Sequence, residues 1–237
     1  MKSGYFTAVA TVALLCVGGA ASADPKDRLH YLTSADVDPG LILPKPFPAG
    51  SEGEKAELVE LHQVVASASA ARLTQAKWDD EHEDPAIFDG VLGVKLEAMP
   101  ATWALLKQVQ EEGEAAADVS KTYFNRARPW SADPTLPNCD EGKQANPRRS
   151  YPSGHSTLSY SVGYVLARLA PEKAGVILSR AADYAMSRQI CGVHYPSDTE
   201  ASHVLATIIG VKLLTSPVFV ARMAAARGEL RAAHLTN

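Results

Sequence analysis

Four segments of this chain repeat apolar residues at helical spacing, and each carries a charged or titratable side chain at one end of its apolar stripe. In 154–169, His155 shares a face with Leu158, Val162, Leu166 and Leu169; in 172–190, Arg188 shares one with Ile177, Ala181 and Tyr184. In 196–215, Asp198 falls on the face of Ala201, Leu205 and Ile208; upstream, Lys121 joins Ala117 and Phe124, with Arg128 seven residues on. Residues three and four apart lie on one face of a helix, so these charges stand at the edge of a helical core. Taken singly, each reads as a solvated tip or a satisfied core residue. Taken together they cannot all be buried unpaired, because each would cost several kcal/mol; they must pair, reach solvent or face a common charged ligand. No alternating strand pattern longer than three residues and no internal repeat accompany them. The predicted fold class is therefore all-α, a helical bundle with its charges at one end.

The remaining punctuation fills in the elements. Residues 24–50 hold Pro25, Pro39, Pro44, Pro46 and Pro48 and read as an extended arm. Ser51 and Glu54 make a capping-box pattern, which predicts one long helix to about Trp78. A short helix follows over 84–92, then one over 94–110 that Pro100 kinks or breaks, then one from 114 that ends before Pro129. The stretch 129–152 is a loop rich in proline, asparagine and charge, and helices are expected over 154–169, 172–190 and 196–215.

Composition narrows the class. The 237 residues are 46% hydrophobic and 21% charged, with a net charge of -4, the balance of a globular domain with no general pull toward nucleic acid. Residues 1–23 read as a cleaved signal peptide: Lys2 flanks a largely apolar run over 6–17, and Ala21-Ser22-Ala23 is an A-x-A cleavage site. The alternative, a membrane anchor, needs about 20 apolar residues, and the later stretch 204–220 is interrupted by Lys212 and Pro217. No membrane span is expected after the leader, and the expected location is periplasmic or secreted. Cys16 falls within the leader, leaving Cys139 and Cys191, an even pair in an exported chain. That points to one disulfide, two free buried thiols being the other reading.

Lys121, Arg128 and Arg188 supply positive charge, while Ser153 and the first amides of the helix from Gly154 supply donors where the helix dipole is positive. The set suits a tetrahedral oxyanion, with arginine offering a planar fork and lysine a point charge. His194 precedes Asp198 by four residues across a helix start; the carboxylate can take the Nδ1 proton and leave Nε2 free to attack. His155, beside the anion-binding turn, can serve as the acid. A metal reading of His194, Asp198 and His155 is disfavoured: the cations would repel a divalent ion, and no second carboxylate occurs near these motifs. No metal and no cofactor are expected. His30, His62, His82, His203 and His234 show no partner pattern, and the acidic cluster 79–84 reads as a solvated helix end.

The pattern Lys121-x6-Arg128-Pro129, then Pro152-Ser153-Gly154-His155, then Ser187-Arg188-x5-His194-x3-Asp198 resembles the signature of the type 2 phosphatidic acid phosphatase superfamily. The motifs cover 121–198, and the chain is most similar to the bacterial class A non-specific acid phosphatases within it. The resemblance implies the helical bundle of the acid phosphatase and vanadium haloperoxidase type, here an all-α acid phosphatase domain over 51–237. It also implies phosphate binding by Lys121, Arg128, Ser153, Gly154 and Arg188, with His155 as general acid, His194 as nucleophile and Asp198 as the residue that orients it. The class signature Gly-Ser-Tyr-Pro-Ser-Gly-His-Thr reads here from Arg149 to Ser156. Serine for threonine keeps the hydroxyl; Arg149 in place of glycine either narrows the entrance or adds a cation beside it.

The expected activity is hydrolysis of small phosphomonoesters with an acidic optimum of about pH 5–6, where His155 holds its proton and His194 stays neutral. Lipid or isoprenoid phosphatase and vanadium-dependent haloperoxidase are the alternative activities, and a non-catalytic phosphate-binding protein is the alternative class. The loop 131–150 joins the Arg128 and Ser153 blocks, so it should line the pocket rim and set substrate choice, pinned by Cys139–Cys191. The resemblance also suggests a homo-oligomer, in which the arm at 24–50 would clasp a neighbour.

Overall fold

The computed structural model describes Met1, residues 24–143 and residues 145–237; the leader expected over 1–23 lies almost wholly outside the described residues. Among the described residues there is no strand, and seven helices of a dozen residues or more carry the fold: α1 Glu52–Ser67, α2 Ala70–Glu81, α3 Pro100–Phe124, α4 Gly154–Leu169, α5 Ala174–Ile190, α6 Pro196–Thr215 and α7 Pro217–Ala232.

Local chemistry sets these boundaries, and in places it overrides the sequence reading. Ser51 caps α1, its Oγ accepting from the Glu54 amide at 3.3 Å. The expected single helix to Trp78 is instead two, because Ala68 turns extended and the Ser69 hydroxyl caps a fresh start on the Arg72 amide at 3.2 Å. Pro100 does not kink a helix but begins one. It stands in the first turn of α3, where its missing N–H costs nothing, and α3 then runs unbroken for 25 residues to a left-handed Asn125. Helix α7 had no counterpart in the sequence reading. It packs on α3, and its Glu229 carboxylate accepts from the amides of Ala101 and Thr102 at 2.9 and 2.8 Å, capping α3 from outside.

Helix α4 is the central element, packed against α3, α5 and α6. Leu158, Val162, Val165, Leu166 and Leu169 are buried on it, facing Leu105, Leu106 and Val109 of α3, Ile177 and Ala181 of α5, and Leu205 and Ile209 of α6. Its buried hydroxyls are satisfied within the bundle: Thr157 Oγ1 donates to the Ser153 carbonyl at 2.8 Å and Ser159 Oγ to that of Ala181 at 3.0 Å. On α6 the inward face carries Ile209, while Ile208 is only half-buried. The segment 24–50 has helical turns at Pro25–Arg28 and Pro39–Ile42. It lies along its own chain: Leu32, Val37 and Leu43 enter the core, and Glu112 of α3 accepts from the amides of Tyr31 at 2.7 Å and Leu32 at 3.4 Å. Among the described residues no single helix is long and apolar enough to cross a membrane.

Candidate active site

Four segments converge at one end of α4. Lys121 sits in the last turn of α3, Arg128 at the start of the loop that follows, Ser153-Gly154-His155 at the N-terminus of α4, and Arg188 in the last turn of α5. His194 and Asp198 span the turn into α6. That turn requires Gly192, whose φ is +64° and whose missing Cβ would lie 2.3 Å from the Pro137 carbonyl oxygen.

His194 is 1% exposed. Its Nδ1 lies 3.2 Å from Asp198 Oδ2, and its Nε2 lies 3.3 Å from Arg128 Nη1. Burial, then the charges of Arg128, Arg188 and Lys121, push the imidazole well below the ordinary histidine value, which favours the neutral ring. Asp198 is fully buried, and burial raises its carboxyl to about 6 against the pull of three donors. Those donors are Arg126 Nη1 at 2.7 Å, Ser150 Oγ at 2.6 Å and the Tyr195 amide at 2.9 Å.

Arg126 lies outside the sequence motifs, and Ser150 falls within the signature from Arg149 to Ser156 without a role assigned to it. Arg126 also donates to Glu57 of α1 and to Ser197 Oγ, both at 2.7 Å, and its guanidinium lies 3.8 Å from the Tyr195 ring centroid. The signal available was its place two residues before Arg128, where a second arginine beside an apolar helix end also needed a partner.

Around the histidines the cations are arranged unequally. Lys121 Nζ reaches over the start of α4: a Cβ added at Gly154 would lie 2.9 Å from it. Burial, with Arg128 and Arg149 nearby, lowers this ammonium to about 8 although Asp118 and Glu83 favour it. Arg188 is 2% exposed, and its Nε has no hydrogen-bond partner among the described residues. Ser153 Oγ accepts from the Ser156 amide at 3.3 Å and the Ser156 hydroxyl at 3.0 Å, which leaves its own O–H to donate. Arg149 pairs with Asp118 of α3 rather than standing free at the entrance.

The tertiary structure corrects one expectation outright: carboxylates do approach these motifs, from distant segments. Asp80 at the end of α2 pairs with Arg188 and with Lys143 of the loop, Asp140 lies 3.5 Å from Arg128, and Glu83 Oε1 lies 3.0 Å from His155 Nδ1. The cluster 79–84 is thus largely engaged. Asp79 is fully buried against Arg180, at 2.6 Å, and Ser187. His62, another residue with no partner pattern, lies 2.8 Å from Asp133. Even so, no group of three or more His, Cys, Asp or Glu side chains is disposed to hold a metal among the described residues. A disulfide joins Cys139 to Cys191, and the Cys139 amide donates to the Cys191 carbonyl at 2.9 Å, fixing the loop to the turn between Arg188 and His194.

In this all-helical bundle the central helix thus begins beside Lys121, Arg128, Arg188 and two histidines. The PAP2 superfamily model matches residues 112–222. An acid phosphatase of Zymomonas mobilis subsp. mobilis is 38% identical over 196 residues, which cover 78% of this chain and 70% of that relative. The chain belongs to the PAP2 superfamily. A non-specific acid phosphatase of Salmonella typhi is 33% identical over 149 residues, 61% of this chain and 59% of the relative, so the match spans about three fifths of that protein's length. Among solved structures, the transmembrane PAP2 type phosphatidylglycerolphosphate phosphatase of Bacillus subtilis superposes with a TM-score of 0.51 at 17% identity, covering 68% of this chain and 85% of that one. At that identity the likeness is one of fold.

Proposed function

We propose that this chain is an exported phosphatase that hydrolyses small phosphomonoesters through a phosphohistidine on His194. The observation that carries the reading is the placement of His194: a buried imidazole whose Nδ1 faces Asp198 and whose Nε2 faces Arg128. Such a ring can act as a nucleophile, its Nε2 beside the cation of Arg128. Lys121, Arg128, Arg188, the Ser153 hydroxyl and the first amides of α4, beginning with that of Gly154, would hold the non-transferred oxygens and stabilise charge in the transition state. His194 Nε2 bonds to phosphorus as the ester P–O bond breaks, and His155 gives its proton to the departing oxygen. Neutral His155 then takes a proton from water as that water attacks phosphorus, releasing inorganic phosphate and restoring His194. The three cations provide the charge neutralisation that the chemistry needs, so neither a metal nor a cofactor has a role in this scheme.

The test is phosphate release from para-nitrophenyl phosphate at about pH 5.5 with excess chelator, comparing wild type with His194→Ala. Chelator-resistant turnover that disappears in the variant is expected, together with acid-labile incorporation of phosphate in quenched wild-type enzyme. Turnover that survives loss of His194 would refute the phosphohistidine scheme.

A further inference from the structure

Both ring nitrogens of His155 face groups that only accept hydrogen bonds. Nδ1 lies 3.0 Å from Glu83 Oε1, and Nε2 lies 3.3 Å from the Asp80 carbonyl oxygen. A neutral imidazole carries one N–H and can satisfy one of these; the imidazolium carries two and satisfies both. The arrangement is held from several sides. Gln110 of α3 donates to the Glu83 carbonyl at 2.9 Å, Tyr184 of α5 donates to the His82 carbonyl at 2.7 Å, and the Tyr184 ring stacks on His155 at 6.0 Å between centroids. Buried Asp79, paired with Arg180, anchors the segment one turn earlier.

From this geometry we infer that Glu83 is a positioning residue for the general acid, keeping His155 protonated and oriented so that ester oxygens of poor leaving groups receive a proton. The inference rests on the phosphatase reading given above. In the step, the ring keeps its Nδ1–H, which donates to Glu83, while the proton on Nε2, which makes the longer contact, passes to the ester oxygen as the P–O bond breaks. The ring is left neutral until water returns a proton. Burial and then Arg188 hold His155 below the ordinary histidine value, and Glu83 and Asp80 are the groups facing it that favour the imidazolium. Lys121 faces Glu83. Removing Glu83 therefore lowers the pH at which His155 loses its proton.

The deciding experiment compares an aryl substrate, para-nitrophenyl phosphate, with an alkyl one, glycerol 2-phosphate, in wild type, Glu83→Gln and His155→Ala. An aryl oxide departs with little help, whereas an alkoxide needs the acid. For Glu83→Gln, the loss in kcat/KM on the alkyl ester is expected to exceed the loss on the aryl ester by about tenfold, and the alkaline limb of the pH profile should move to lower pH. NMR titration of the His155 ring in a His194→Ala background should show the same downward shift on adding Glu83→Gln, independently of turnover. Equal losses on both esters with an unmoved profile and an unmoved ring titration would overturn the inference. If His155→Ala shows the alkyl-selective loss and Glu83→Gln does not, the inference fails while the phosphatase reading stands. If His155→Ala itself shows no selectivity, the acid assignment fails and takes the inference with it.

Discussion

Replacing Arg126 with methionine would remove the cation between two buried carboxylates while keeping much of the side-chain volume. Arg126 is 4% exposed, and its partners Glu57 and Asp198 are 8% and 0% exposed, each at 2.7 Å. Deleting one member of a buried ion pair costs about 3–5 kcal/mol, because the charge left behind is unpaired in a medium that cannot solvate it. Here two carboxylates lose their counter-charge and keep only uncharged donors such as Ser150, the Tyr195 amide and the Ser197 amide, which argues for the upper half of that range. For a domain of this size about 1 kcal/mol moves Tm by about 2–4 °C, so Arg126→Met should melt about 10 °C or more below wild type, with part of the loss restored by adding Glu57→Gln. The site responds in the same direction. Asp198 already titrates at about 6 because of burial; without Arg126 its value rises further, and its anion is lost at pH values where wild type retains it. The acid limb of kcat/KM should then move to higher pH, with kcat at about pH 6 falling about tenfold. Thermal unfolding and a pH–rate profile with para-nitrophenyl phosphate check both parts. A Tm within about 2 °C of wild type, or an acid limb that stays put, would refute the account of Arg126 as the counter-charge of Asp198.

Other consequences are as direct. The kcat/KM profile should be bell-shaped with a maximum at about pH 6, since Asp198 must be ionised and His155, held below the ordinary histidine value by burial and Arg188, must be protonated; a plateau extending to about pH 9 would contradict this. Gly154→Ala should leave Tm nearly unchanged yet weaken inhibition by inorganic phosphate about tenfold, because the new methyl crowds the flexible end of Lys121 at 2.9 Å and displaces it, while Glu83 Oε1 at 3.7 Å is an ordinary contact. Cys139→Ser with Cys191→Ser should cost about 2–4 kcal/mol in denaturant unfolding; if the loop it tethers also sets substrate choice, the ratio of kcat/KM between two phosphomonoesters will shift as well.

The chain's local code carried a great deal. Apolar stripes at helical spacing, with Ser51, Ser153 and Pro196 at helix starts, specified an all-α fold and the span of α4 and α6, because periodicity and capping act within a few residues. The same stripes placed His155, Arg188 and Asp198 at helix ends, and the spacing of His194 to Asp198 brought their side chains together unaided. Where the reading went astray, the deciding interaction came from far along the chain. Ser69 restarts a helix that periodicity alone would continue. Helix α7 declares itself through Glu229, which caps α3 across more than a hundred residues. The carboxylates reveal the limit most plainly: Glu57, Asp80 and Glu83 are 69 or more residues from the Arg126, Arg188 and His155 they meet. Only the packing of α1 against α5 and α6 and of α2 against α5, in a bundle centred on α4, sets those pairs within reach. A buried charge announces in sequence that it needs a partner, but Coulomb attraction depends on distance in space, and that distance exists only once the helices have packed.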